Sequence, residues 1–205
     1  MAERLTPVAI GFSSHSGWAT VVCLGGPSPV VIERLRLLLT SAPLPREPYH
    51  DAKRRAPEQA DKIVAAAADE ARALGVEAII GLKDSMRAQG YELIAAGVVL
   101  GGGTPGAIMS RALSTHAAMH GAEGWLFREA LIEASKTCGV RAVGVPEREL
   151  VARAAVALEA SEDVVGELIR QMGREYGAPW GHDQKTAALA ALVALNSVSE
   201  HTPRP

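Results

Sequence analysis

Apolar and polar positions fall in blocks along the chain, and the blocks predict a definite order of elements. Pro7 to Phe12 reads as a buried strand, and Gly17 to Leu24 as its hairpin partner across a polar turn at Ser13 to Ser16. Gly25 to Pro29 is a strong turn. Val30 to Leu38 alternates in part, with Glu33, Arg34 and Arg36 among apolar neighbours, as a third antiparallel strand near a sheet edge would. Ser41 to Pro48 is a proline-rich loop, and Tyr49 to Arg55 is either an extended loop or the charged start of a helix. Pro57 suits the first turn of a helix that runs to Leu74, with Gly75 and Gly81 as stops or interruptions before a second helical stretch to Ala88.

The second half has its own series. Leu93 to Leu100 is a continuous apolar run, which predicts a strand buried on both faces. A glycine-rich loop follows at Gly101 to Gly106, then helix from about Ala107 to Thr137, broken near Gly121 and Gly124. Val140 to Val145 is a short strand, Pro146 starts a helix to about Val156, and Ser161 caps another to Arg174. A last helix opens at His182 or Asp183 and ends near Ser197. The expected architecture is one α/β domain over residues 1–200. It has a mixed five-stranded sheet, three antiparallel strands then two parallel, with helices on both faces. The predicted helical insertion covers about 146–175 and a flexible tail covers 201–205.

Composition narrows the function classes. Hydrophobic residues make up 48% and charged residues 21% of 205, an ordinary globular balance. The net charge of −2 lacks the global basic excess of a strong nucleic-acid binder, so any such binding needs a local patch. Cys23 and Cys138 lie far apart with no CxxC pair, which excludes a zinc ribbon and argues for reduced thiols. No signal-peptide pattern and no run of 18 apolar residues appear, so a cytoplasmic chain without membrane contact is expected.

The order of elements resembles the ribonuclease-H-like superfamily, and within it RuvC-type Holliday-junction resolvases. Three segments carry the likeness. Ala9 to Ser13 followed by Ser16 to Ala19 resembles the opening strand and turn; Leu93 to Leu100 resembles the fourth strand; Ala112 to Ala134 resembles the long helical region before the fifth. In that superfamily, acids on the first strand, the fourth strand and the last helix hold catalytic metal ions. The alignment puts Ser13 at the first place and Gly97, or another apolar residue if the register slips, at the second, and leaves Asp183 alone on the last helix, followed by Thr186. Serine and glycine cannot neutralise and bridge hard cations as carboxylates do. The resemblance therefore implies a retained groove and a lost magnesium or manganese centre, with no cofactor in its place.

Several candidates remain. Ser13, Ser14 and His15 would meet His182 and Asp183 at the carboxyl ends of the strands, as a metal site or a phosphate seat on a helix N-terminus. The same residues also make an ordinary turn and helix cap. His116 and His120, one helical turn apart, have the spacing of two metal ligands, with Glu123 the nearest acid; packed or solvated histidines fit equally. Gly101 to Gly103 could cradle phosphate, or act only as a hinge. Lys53, Arg54 and Arg55 form the one dense basic run and, with Arg34, Arg36 and Arg46, a potential phosphate-binding edge or a solvated face. A serine hydrolase from Ser14, His182 and Asp183 lacks the G-x-S-x-G elbow.

These residues lead to a RuvC-like protein without nuclease chemistry, binding DNA, RNA or a protein partner, and compatible with a homodimer through its long central helices. The alternatives are a divergent nuclease, with His15, His182, Asp183 and Glu147 replacing the carboxylates and magnesium or manganese as cofactor, and an assembly protein with no site.

Overall fold

The computed structural model describes residues 5–102 and 108–197. Its sheet has five strands: β1 (Thr6–His15), β2 (Trp18–Gly25), β3 (Val30–Leu38), β4 (Tyr91–Leu100) and β5 (Arg141–Pro146). Their order is β3-β2-β1-β4-β5. The first three pair antiparallel, and β1, β4 and β5 pair parallel. The expected mixed sheet is thus present, with β3 at an edge. The proposed tail at 201–205 lies outside the described residues.

The β1–β2 hairpin is tighter than the polar pattern suggested. Ser13, Ser14 and His15 belong to the strand, with His15 opposite Trp18. Only Ser16 and Gly17 turn the chain, and Gly17 takes the left-handed conformation (φ 79°) that such a two-residue loop demands. Strand alternation then decides which side chains meet the last helix. Gly11, Ser13 and His15 share one face of β1, and Ile10 and Phe12 the other.

Helices cover both faces of the sheet. On one side lie α2 (Pro57–Ala88) and α4 (His116–Thr137), joined to the sheet through Ile10, Phe12, Val98, Phe127 and Leu131. Before them come the short α1 (Pro48–Ala52) and α3 (Met109–Ala112). On the other side lie α5 (Leu150–Ala157), α6 (Glu162–Tyr176) and α7 (His182–Ser197), packed on Val22, Leu24, Val99 and Val145. A three-residue 3-10 turn, Glu147–Glu149, leads into α5.

Two glycine expectations fail for the same reason. Gly75 and Gly81 neither end nor interrupt α2, which is one helix of 32 residues. Gly75 instead lets α4 approach, since a Cβ there would lie 3.0 Å from the Cβ of Ala134. Gly121 and Gly124 do not break α4; the break falls earlier, at Leu113 to Thr115. There Thr115 Oγ1 accepts the Ala118 N–H at 3.1 Å and starts the helix anew. A cap with a bonding oxygen outranks a helical glycine, whose propensity cost of about 1 kcal/mol packing readily offsets.

α7 is apolar all round, as a helix buried centrally must be. Its alanines let it sit almost on the sheet. A Cβ at Gly11 would lie 1.8 Å from the Ala187 carbonyl oxygen, and one at Gly97 2.1 Å from that of Ala190. Gly11 and Gly97 are paired neighbours on β1 and β4, so together they form a floor for the helix.

Cys23 is buried in the sheet and Cys138 half-buried, and both are free. Burial, with the Glu33 carboxylate nearby, pushes the Cys23 thiol up to about 12. Cys23 is therefore expected to resist iodoacetamide at pH 8 in the folded chain and to react fully in denaturant. Mass spectrometry of the modified peptides checks this.

Candidate functional site at the carboxyl edge of the sheet

β1, β4 and β5 all end at one edge of the sheet, where α7 begins. The approach to α7 is held from two sides. Arg34 on β3 donates to the carbonyls of Gly177 (2.9 Å), Ala178 (3.1 Å) and Pro179, and its guanidinium lies over the Tyr176 ring. Trp180 donates from Nε1 to the Ile169 carbonyl at 2.9 Å. The Gly181 N–H then donates to Gln184 Oε1 at 2.8 Å, which is half of a capping box.

This start aims two neighbouring residues apart. Asp183 reaches β1, where its Oδ1 lies 3.1 Å from His15 Nε2. His182 turns toward the end of β5, where its Nε2 lies 3.0 Å from Glu147 Oε1. The four residues named as alternative ligands therefore lie at one edge but divide into two histidine–carboxylate pairs. Ser13 is buried on the α7 face, whereas Ser14 points to the other face and its Oγ is buried without a partner. Among the described residues, no serine–histidine hydrogen bond supports the hydrolase reading.

His15 carries a further layer. Its ring stacks on Trp18 at 4.2 Å between centroids, and Arg36 lies 3.8 Å over the Trp18 ring from the opposite strand. Two planar rings and a guanidinium thus line up beside the Asp183 contact, a cation–π arrangement.

Between β4, β5 and α7 opens a cavity of about 1020 Å³. Its walls include Gly101, Gly102, Trp125, Glu147, Arg148 and Lys185. Arg128, inside α4, donates from Nη1 to the Gly102 carbonyl at 2.8 Å and lies against Gly101. Burial lowers the Arg128 pKa, and the Glu147 carboxylate opposes that shift. The described part of the glycine loop therefore offers a carbonyl to a guanidinium. Gly103 lies outside the described residues.

The basic residues do not form one edge. Lys53 Nζ donates to the Leu113 carbonyl at 2.9 Å and joins the end of α1 to the α3–α4 break. Arg55 and Arg54 both turn to Asp51, whose carboxyl is held below its ordinary range first by the Arg55 hydrogen bond. Arg34 binds the approach to α7, Arg36 lies on Trp18, and Arg46 packs by Gly17. Arg54 is more open than Arg55, at 76% against 42% side-chain exposure.

A separate polar cluster was only half visible in the chain. His116 and His120 do share a face of α4, and His50 of α1 joins them; their ligand atoms all lie within 4.8 Å of one another. Among the described residues, it is the one group of three or more His, Cys, Asp or Glu placed to share an ion. Glu123 sits beneath, fully buried. Nothing in the sequence ties His50 to a histidine pair so far along the chain.

The architecture is that of the ribonuclease-H-like fold. The solved structures it is similar to include two of RuvC. A Thermus thermophilus RuvC in complex with Holliday junction substrate matches at TM-score 0.55 and 11% identity, over 96% of this chain and 97% of that one. A second Thermus thermophilus RuvC structure matches at TM-score 0.51 and 14% identity, over 95% and 97%. No family model matches the chain, and no curated protein does.

Proposed function

We propose that this chain is a RuvC-like nucleic-acid-binding protein that does not cut its ligand. The observation that carries this reading is the pairing at the sheet's carboxyl edge. Both carboxylates there, Asp183 and Glu147, are taken up by histidines, while Ser13 and Gly97 contribute no charge. Two-metal hydrolysis needs several free carboxylates around two cations roughly 3.5–4 Å apart. This donor set does not fit such a centre. What the edge does offer is suited to holding an anionic strand: Arg128, Arg148 and Lys185 at the cavity and the His15–Trp18–Arg36 stack; the exposed Arg54 and Arg55, just after α1, add a separate basic patch. Stacked aromatic groups beside cations are how single strands are commonly gripped.

Fluorescence anisotropy with branched and single-stranded DNA and RNA, at rising salt, tests the reading. Binding is expected without cutting in magnesium or manganese. Arg54→Ala with Arg55→Ala should weaken it several-fold at low salt and flatten the salt dependence by about 0.7–0.9 in slope for each phosphate no longer neutralised. Cutting that Asp183→Ala abolishes would establish the nuclease alternative instead. Absence of binding even at low salt would point to a protein partner or an assembly role.

A further inference from the structure

We propose that His50, His116 and His120 form a binding site for a divalent transition metal, zinc foremost, with Glu123 fixing His50 from behind. The site shares no residue with the His15–Asp183 edge and does not depend on the nucleic-acid reading.

Chain architecture assembles it. The Thr115 cap starts α4 with His116 in its first turn, and His120 follows one turn later on the same face. Lys53 ties α1 to the break before α4, and this brings His50 over the pair. The three rings then surround a common point. Their centroids lie 5.0, 4.6 and 4.3 Å apart, and the ring planes are mutually tilted by 74°, 53° and 85°. Two of the three contacts are edge contacts of the kind ring packing itself favours; what points to an ion is that the ligand atoms of all three also share one neighbourhood. Around a tetrahedral zinc ion with Zn–N of about 2.0–2.1 Å, ligand nitrogens sit roughly 3.3 Å apart. The observed spread, at most 4.8 Å, closes to that when the side chains draw together around an ion.

Hydrogen bonding selects the free nitrogen. Glu123 Oε1 accepts from the His50 backbone N–H at 3.2 Å and lies 2.9 Å from His50 Nδ1. A proton on Nδ1 facing the carboxylate leaves the lone pair on Nε2. That atom is buried and has no hydrogen-bond partner. Glu123 Oε2 is likewise buried and unpartnered, 3.8 Å from His120 Nδ1, too long for a hydrogen bond. Orphaned buried polar atoms are rare, and two of them flank this one point. A carboxylate behind a ligating histidine is the usual way such ligands are oriented and made more basic.

The ligand set also sets the metal class. Neutral imidazoles suit zinc, copper, nickel and iron, whereas magnesium and calcium demand oxygen. Three protein ligands leave a fourth position for water or an exchangeable group. His116 and His120 are exposed, so an ion can enter from solvent.

The test uses the full chain, stripped with chelator and titrated with cobalt(II). One equivalent should bind with the visible absorption of tetrahedral cobalt, and zinc should displace it. His116→Gln with His120→Gln should abolish the band, and Glu123→Gln should lower affinity about 10–100-fold. His15→Ala and His182→Ala should leave it unchanged. In the unaltered protein, zinc should shift the ring proton NMR signals of three of the six histidines. The absence of a tetrahedral band, its survival in the double variant, or shifts spread over all six histidines would each overturn the proposal.

Discussion

Gly97→Ala is expected to cost about 3 kcal/mol or more, and Gly97→Glu to prevent folding. The added Cβ would lie 2.1 Å from the Ala190 carbonyl oxygen, with the Ala190 carbonyl carbon at 2.5 Å. Both are backbone atoms of a buried helix, so no side chain can swing aside. Relief requires α7 to lift from the sheet. Overpacking of a tight core commonly costs roughly 1–3 kcal/mol, and rigid backbone clashes lie at the top of that range. A chain with total stability of about 5–15 kcal/mol has little room for it. Gly81→Ala is the control. Nothing lies within 4 Å of a Cβ there, and alanine in an exposed helix should stabilise by about 0.4–1 kcal/mol. Urea denaturation followed by circular dichroism measures both. A Gly97→Ala variant as stable as the parent would mean that α7 does not rest on β4.

That expectation bears on the site as much as on stability. The resemblance read from the sequence puts the fourth-strand acid at Gly97 or at another apolar residue of the same strand. At Gly97 the backbone of α7 occupies the space a side chain needs, so a carboxylate cannot be restored there by one substitution. Its neighbour across the ladder, Gly11, faces the same helix even more closely. The Ala187–Ala194 stretch, uniformly buried, is the counterpart of these glycines. Small residues on the helix and no side chain on the strands bring helix and sheet together, and this seats the start of α7 beside His15.

The sequence made the order and pairing of strands legible because each strand is an apolar run closed by a turn of known chemistry. Val30 to Leu38 showed its edge position through its arginines, and the structure agrees. Helix interruptions were less legible. Glycine looks the same in sequence whether it ends a helix or makes room for a neighbour, and Gly75, Gly121 and Gly124 are all inside helices. At the candidate site, His15 and Asp183 could be placed at one edge from topology alone. That they form one pair while His182 and Glu147 form another depends on side-chain direction at two adjacent helical positions. Arg128 and His50 carried no local signal. Each lies in an ordinary stretch and gains its role from a partner distant in sequence.

Removing His50 is expected to be the most damaging change among the polar residues. Glu123 is fully buried, its Oε1 is held by the His50 ring and backbone, and its Oε2 has no hydrogen bond. His50→Ala would leave a carboxylate in the core with one backbone N–H and a distant His120. Breaking a buried pair from one side costs about 3–5 kcal/mol, because the remaining charge loses its partner while staying out of water. Removing both partners is a different matter. His50→Leu with Glu123→Leu replaces the pair by apolar groups, and such exchanges are often near neutral. The double variant should therefore recover most of what the His50→Leu and Glu123→Leu single variants each lose, giving a coupling of about 2 kcal/mol or more in the cycle these three make. The cycle is measured by urea denaturation in chelator, so that metal binding adds nothing to the difference. A His50→Ala cost under about 1 kcal/mol, in the range of exposed ion pairs, would mean that Glu123 does not carry a buried charge held by that ring.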